Sequence, residues 1–233
     1  MYFDYTIIIL IPAMILAFYA QHKVNSAYNT YSRVGVRNGT TGREAARQIL
    51  DSSGLQNVNI EVVSGKMTDH YDPRKRVMRL SPEVYNGSTI AAVSIAAHEA
   101  GHAIQHGHGY APLTIRNVIA PVASVMSKAA FPLLIIGLII WNTGSYYYYW
   151  GPFLFDLGIL FYGAAVVFQV ITLPVEFNAS KRAVNLITDM GLVYEDEVRG
   201  AKKMLSAAAL TYVAAMAAAI AQLLRLLLIR GRN

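Results

Sequence analysis

The sequence contains no cysteine among its 233 residues. Disulfide bonds and thiolate metal ligands are therefore excluded, and any metal site has to be built from histidine and carboxylate side chains. Charged residues are also scarce, because Asp, Glu, Lys and Arg make up only 15% of the chain while 55% of it is hydrophobic. A chain this apolar must bury much of its surface in a dry environment, and a membrane is the natural one.

The excess of positive charge is modest. Lys and Arg outnumber Asp and Glu by 20 to 14, which gives a formal net charge of +6. No Arg/Lys-rich helix or aromatic RNA-binding motif accompanies this charge, so nucleic acid is not expected as a partner. Basic loops beside a lipid bilayer explain the charge better.

One motif carries the chemistry: His98-Glu99-Ala100-Gly101-His102, an H-E-x-x-H pattern in an apolar run that begins at Thr89. Helix positions four apart lie on the same face, so His98 and His102 can present two imidazole nitrogens to one metal ion. Glu99 would flank that ion. Zinc lowers the pKa of a bound water, and the Glu99 carboxylate can take the proton.

We predict structural roles, and not catalytic ones, for the residues at the ends of the motif helix and for two further histidines. We expect Ser88 to cap the helix after a turn, and Gly107 to end it. His106 shares a face with His102, but we expect it to cap or pack rather than to bind metal. His70 stands in an Asp-rich turn and is kept out of the catalytic set.

The stretch from Arg37 to Tyr85 is polar and reads as a small folded unit. Thr41 and Glu44 have the spacing of a capping box, which predicts a short helix ending at Gly54. Two strands are predicted after it, within Val58–Val63 and Arg76–Leu80, paired as a hairpin. We also expect the second of these strands to hold an extended substrate by strand addition.

Three apolar segments are long enough to cross a bilayer as helices: Phe3–Ala20, Val118–Trp141 and Phe153–Leu173. The first has no basic residue before it, so we interpret it as a retained anchor rather than a cleaved signal peptide. The second is interrupted by Pro121, Lys128 and Pro132. The aromatic cluster Tyr146–Trp150 between the second and third is typical of the membrane interface.

Positive charge follows the first and third segments, on Lys23, Arg33, Arg37, Lys181 and Arg182. The positive-inside rule therefore places the polar unit in the cytoplasm. A fourth apolar segment, Ser206–Ile229, contains Arg225 and precedes two further arginines. It is either a fourth span or a helix that lies on the polar unit or at the interface.

Two histidines do not complete a catalytic zinc site, which usually has three protein ligands. Glu176 is the best candidate for the third, because it comes just after the third span, where the chain returns to the cytoplasm. Asp189, Glu195 and Glu197 lie further along and stay open as alternatives.

The order of these motifs resembles the HtpX-type membrane zinc peptidases and the related prenyl-protein-processing peptidases. In them H-E-x-x-H is followed by a transmembrane hairpin and then an E-x-x-A-D helix whose Glu is the third ligand. Glu176-Phe177-Asn178-Ala179-Ser180 matches that helix except at Ser180. The Asp at this position in those relatives supports a ligand histidine.

A closer resemblance covers nearly the whole chain. The sequence is similar to the YugP-like family of neutral zinc metallopeptidases at these places: Thr41-Gly42, Asp69-His70-Tyr71-Asp72-Pro73, Leu80-Ser81, Ala97–Gln105 and Pro174–Ala183. The resemblance implies a membrane-bound zinc peptidase with a poorly defined substrate.

These observations predict an α+β integral membrane protein, mainly helical, with a small β-hairpin or sheet and three to four transmembrane helices around an H-E-x-x-H zinc site. The expected segments are an anchor (3–20), a cytoplasmic catalytic part (21–117), a transmembrane hairpin (118–173), a third-ligand helical segment (174–205) and a possible fourth transmembrane or interfacial helix (206–229).

The expected function is that of a multi-pass cell-membrane endopeptidase of the gluzincin kind, acting on peptides or membrane proteins. Zinc is held by His98, His102 and Glu176, and Glu99 is the general base. The alternative is a zinc-stabilised membrane adaptor or chaperone that binds unfolded segments without cleaving them.

The absence of cysteine makes this topology testable. A single cysteine introduced at Ser52 should be protected from an impermeant thiol reagent in intact cells, whereas one at Ser145 should react, because the basic residues keep the polar unit inside. A matched sample of opened membranes shows that both cysteines are reactive. If the cysteine at position 52 were labelled in intact cells, the polar unit would lie outside the cell and the predicted topology would be wrong.

Overall fold

The computed structural model describes residues 5–143 and 149–231. In chain order the elements are a 3-10 helix (Tyr5–Ile9), α1 (Leu10–Tyr31), α2 (Gly42–Ser52), β1 (Asn59–Val62), β2 (His70–Asp72), β3 (Val77–Leu80), α3 (Pro82–Asn86), α4 (Ile90–Gly107), α5 (Ala111–Asn142), α6 (Trp150–Asp189) and α7 (Glu195–Gly231). The predicted class, mainly helical with one small sheet, is confirmed.

Within the described residues, four helical stretches are long and apolar enough to cross a membrane: Tyr5–Tyr31, Ala111–Asn142, Trp150–Asp189 and Glu195–Gly231. Each exceeds the roughly 20 residues that a bilayer core requires. The prolines that interrupt the second apolar segment of the sequence, Pro121 and Pro132, lie inside one continuous helix. Such prolines are tolerated in spanning helices because neighbouring groups satisfy the freed carbonyls. Residues 144–148, with Ser145 and most of the aromatic cluster, lie outside the described residues.

The chain forms two compact units. Among the described residues, one unit contains 5–19, 115–143, 149–173 and 212–231, and the other contains 20–114 and 174–211. His98, Glu99, His102 and Glu176 all belong to the second unit. The second unit therefore holds every residue that the sequence assigns to the metal site.

The core of the second unit is built on α4, which packs against α2. Ala45 and Ile49 of α2 and Val93 and Ala96 of α4 are fully buried in this core. The predicted capping box at the start of α2 is confirmed: the Thr41 side chain accepts a hydrogen bond from the Glu44 amide, and the Glu44 carboxylate accepts one from the Thr41 amide.

The sheet differs from the predicted hairpin. Its order is β1-β3-β2, with β1 parallel to β3 and β2 antiparallel to β3. The predicted pairing of Val58–Val63 with Arg76–Leu80 as a hairpin is therefore wrong, because the segment assigned to the connection supplies β2 and forms the hairpin with β3. Strand addition to β3 is also excluded, since this strand has a neighbour on both sides.

Asp69 fixes the start of the hairpin. Its carboxylate accepts hydrogen bonds from the Ser81 amide at 2.7 Å and from the Ser81 hydroxyl at 3.0 Å. Burial raises the pKa of the Asp69 carboxyl, and the Ser81 hydrogen bonds oppose this shift. The two residues tie the beginning of β2 to the end of β3, directly before α3.

The motif helix α4 begins one residue later than predicted. Thr89, not Ser88, is the cap, and its hydroxyl accepts a hydrogen bond from the Ala92 amide at 3.2 Å. Ser88 has a different role, because its carbonyl accepts a hydrogen bond from the Val36 amide at 2.9 Å. The helix also ends one residue later than predicted, because Gly107 is still helical and His108 is the C-cap.

The segment after the third span also differs from the prediction. Glu176 does not open a new helix but lies inside α6, which runs unbroken through Pro174. Pro174 removes one helical hydrogen bond, and the sequence alone favoured a helix boundary there. Likewise α7 starts at Glu195 rather than at Ser206, with three acidic residues in its first turn. Acidic side chains at this end suit the helix dipole.

Candidate metal centre

The H-E-x-x-H histidines meet Glu176 in the second unit. The Glu176 Oε2 atom lies 3.3 Å from His98 Nε2 and 3.4 Å from His102 Nε2. One donor atom from each of the three residues lies within 4.8 Å of the other two. The Glu176 side chain is 2% exposed, and those of His98 and His102 are 14% and 11% exposed. The cluster is thus nearly buried but still reachable on the histidine side.

The donor set and its spacing fit zinc. Two imidazole nitrogens and one carboxylate oxygen are the ligands of one class of catalytic zinc site, which keeps its fourth position for water or substrate. Two ligands of a tetrahedral zinc, each about 2.0 to 2.1 Å from the metal, lie about 3.4 Å apart. The distances from Glu176 to both histidines match that separation.

The pKa of His102 depends on the acidic side chains around it. Burial alone would lower the pKa of His102, but the Glu176 carboxylate and the charge of Glu99 outweigh it and raise the pKa. A protonated imidazole cannot bind a metal, so a proton and zinc compete for His102. Glu99 itself is 8% exposed.

Gln105 is a part of the site that the motif did not reveal. It is fully buried, three residues after His102 on α4. Its Oε1 accepts a hydrogen bond from His102 Nδ1 at 3.0 Å. Its Nε2 donates to the Val175 carbonyl at 2.8 Å and to Asn178 Oδ1 at 3.0 Å. The Gln105 amide thus contacts His102, a candidate ligand on α4, and Val175, the residue before the candidate ligand Glu176 on α6.

This network fixes the tautomer of His102. Arg182 Nε can only donate, and it lies 2.8 Å from Asn178 Oδ1, so that atom is the amide oxygen. The Gln105 atom beside it must then be the amide nitrogen, which turns the Gln105 oxygen towards His102. Nδ1 of His102 therefore carries a proton, and in the neutral imidazole the lone pair belongs to Nε2, the nitrogen 3.4 Å from Glu176 Oε2. This is the tautomer that a metal bound at Nε2 requires.

Ser180 supports the other histidine. Its hydroxyl oxygen lies 3.2 Å from His98 Nδ1, at the position where the HtpX-type pattern has an Asp. A serine hydroxyl can accept the Nδ1 proton as a carboxylate does, although without its charge. Glu176 and Ser180 are four residues apart on α6, so one helix face supplies both the carboxylate and this contact.

Gly101 allows α4 and α6 to approach closely. A Cβ atom at Gly101 would lie 2.8 Å from the Ala179 carbonyl oxygen, which is too close for any side chain. Ala179 is itself fully buried. The small residue at the fourth position of the H-E-x-x-H motif therefore brings the backbone of α6 within reach of the histidines.

The other candidates lie elsewhere. In the described residues the metal-ligand cluster contains neither Asp189, Glu195 nor Glu197. The Glu197 carboxylate accepts hydrogen bonds from the backbone amides of Arg37 and Tyr194 instead. His70 Nδ1 lies 2.8 Å from the Thr68 carbonyl, as expected for a residue with a role in the turn.

Comparison with known proteins identifies the family. A family model described as "Putative neutral zinc metallopeptidase" matches residues 6–231. The chain belongs to this family. The resemblance seen in the sequence is thereby confirmed, and zinc is the metal that the family description implies.

A curated relative supports the same assignment. The chain is 48% identical over 229 residues to the Bacillus subtilis (strain 168) protein named "Putative membrane protease YugP", covering 97% of this chain and 98% of the relative. No solved structure matches the chain. The name of the relative and the four apolar helices agree with a multi-pass membrane protein.

Removing the Glu176 carboxylate tests the third ligand. Glu176→Ala should lose bound zinc and activity together, because two imidazoles alone hold the metal poorly. Glu176→Asp should bind zinc more weakly than wild type, since the shorter side chain must still reach about 2.0 to 2.2 Å from the metal. Zinc per protein, measured by elemental analysis after dialysis, gives the result. If Glu176→Ala bound as much zinc as wild type, Glu176 would not be a zinc ligand.

A second prediction concerns Gln105. Gln105→Leu keeps the size of the side chain but removes the acceptor for His102 Nδ1–H, so zinc affinity should fall about 10- to 100-fold. Competition with a chromophoric chelator measures the affinity. Gln56→Leu is the matched control, because Gln56 is exposed and outside the cluster. Unchanged affinity in a folded Gln105→Leu protein would contradict the assigned role.

Proposed function

We propose that this protein is a zinc-dependent endopeptidase of the gluzincin kind, with zinc on His98, His102 and Glu176. The observation that carries the proposal is the meeting of two imidazole nitrogens and a buried carboxylate oxygen beside Glu99. Membership of a family described as zinc metallopeptidases supports the choice of metal.

Zinc, when bound, would acidify a water and polarise the carbonyl of the peptide bond. Glu99 follows His98 directly on α4 and acts as the general base, taking a proton from the attacking water. The same carboxyl then delivers that proton to the departing amide nitrogen. Gln105 and Ser180 hold the two imidazole rings in place, so their Nε2 atoms stay aimed at the metal position.

The expected substrates are peptides or membrane proteins, cleaved beside the lipid bilayer on its cytoplasmic side. With β3 excluded, an extended substrate would add to an edge strand of the sheet. β2 is the better placed of the two edges, because it and β3 are the strands that pack against α4. Strand addition uses backbone hydrogen bonds, which favours a broad sequence preference.

The alternative from another class is a zinc-stabilised membrane adaptor or chaperone that binds unfolded segments without cleaving them. Both functions require a bound metal and a site that admits a polypeptide. They differ at Glu99, because an adaptor needs no general base. Metal content and proteolysis must therefore be measured on the same variants.

Glu99→Gln is the decisive variant. The amide keeps the shape of the side chain but cannot take a proton, so the protein should retain zinc and fold while proteolysis falls by at least about 100-fold. Casein digestion in detergent, with elemental analysis of the same sample, measures both quantities. Glu83→Gln, the same change at an exposed residue of α3, controls for the substitution. Full proteolysis by a clean Glu99→Gln preparation would refute the enzyme assignment.

A further inference from the structure

A second feature of α4 is unexplained by the metal cluster. A cavity of about 290 Å³ opens in the second unit beside the C-terminal half of this helix. Its polar lining residues are Asn57, Tyr71, Arg76 and His106, and Ala103 forms part of its wall. No acidic residue is among the described residues that line it.

The cavity lies on the side of α4 that carries the proposed base. Glu99 and His106 are seven residues apart, so two turns of helix place them on one face. Ala103 follows His102 directly. The rise from His102 to His106 is about 6 Å, which corresponds to about two residues of an extended peptide. A peptide whose reacting carbonyl sits at the metal cluster can therefore place a residue about two positions away in this cavity.

The lining residues supply hydrogen-bond donors and positive charge. The Tyr71 hydroxyl lies 2.9 Å from His106 Nδ1. When Tyr71 donates to this nitrogen, a neutral His106 carries its proton on Nε2, which is then a donor. Burial raises the pKa of the Tyr71 hydroxyl, and the Arg76 charge is close enough to oppose that shift. Asn57 adds an amide at the same cavity.

Asp72 is an acidic group close to this set, because its charge reaches Tyr71. Its carboxylate is already engaged, because it accepts hydrogen bonds from the backbone amides of Arg74 and Lys75 and lies 3.5 Å from Arg79 Nη1. Asp72 therefore leaves the guanidinium of Arg76 available to a ligand.

We propose that this cavity is a substrate subsite that binds a carboxylate, either the side chain of an Asp or Glu near the scissile bond or a free C-terminal carboxylate. The proposal rests on the proposed peptidase function. A planar guanidinium with neighbouring N–H donors, here those of His106 and Asn57, is the usual arrangement for recognising a carboxylate. The volume suits one side chain or chain end.

The test is direct binding to the zinc-loaded, full-length Glu99→Gln protein in detergent, so that cleavage is not needed. The probes are fluorescent alanine-based heptapeptides with capped ends, each with one Glu at a scanned position, and partners with Gln there. A further pair has a free C-terminal carboxylate or a C-terminal amide. Anisotropy should show about tenfold tighter binding of the carboxylate member of one pair. The pair that responds identifies the source of the carboxylate.

Arg76→Gln on the same background should abolish that difference. Arg74→Gln, which removes the same charge from an exposed neighbour that does not line the cavity, should preserve it. Equal binding within every pair, or a preference that survives Arg76→Gln, would overturn the subsite.

These outcomes are separate from those of the peptidase assignment. A carboxylate preference that depends on Arg76, in a protein that cleaves no peptide, would keep the subsite and refute the enzyme. Cleavage of Glu and Gln peptides with equal kcat/KM, together with equal binding, would keep the enzyme and refute the subsite.

Discussion

The site depends on how closely α4 and α6 approach each other. At Gly101 the helix backbone meets Ala179 without room for a Cβ atom, and four residues later the buried Gln105 amide donates to the Val175 carbonyl. Helix pairs packed through larger side chains lie about 8 to 10 Å apart. At this close approach the Glu176 carboxylate on α6 lies 3.3 Å and 3.4 Å from the imidazoles on α4, so a side chain at position 101 would push the ligand-bearing helices apart.

Burial of one face of α6 restricts the positions that Glu176 and Ser180 can take. Val175, Ala179, Ala183 and Ile187 recur every four residues and are fully buried, so one face of α6 is held in the core of the second unit. Glu176 and Ser180 each lie one position beyond this buried row and reach the histidines. Because a buried carboxylate or amide must be satisfied, the polar groups here can adopt few alternative arrangements.

The sequence predicted the parts whose spacing is local. Two histidines four residues apart, with Glu99 between them, define a helix face without any tertiary information. Glu176 was harder to place, because the sequence suggested a helix start after Pro174 and the structure shows one continuous helix. Gln105 carried no signal of its own, since its role exists only once the Val175 carbonyl and Asn178 are beside it. The sheet was mispredicted because a strand of three residues, β2, has too little alternation to distinguish it from a turn.

The central claim is that two imidazoles and one carboxylate bind the zinc. X-ray absorption at the zinc edge of the metal-loaded protein tests it most directly, because multiple scattering from imidazole rings counts the histidine ligands. We expect two imidazole nitrogens at about 2.0 to 2.1 Å and the remaining ligands to be oxygen. A site with one or three imidazoles, or with no histidine ligand, would contradict the claim.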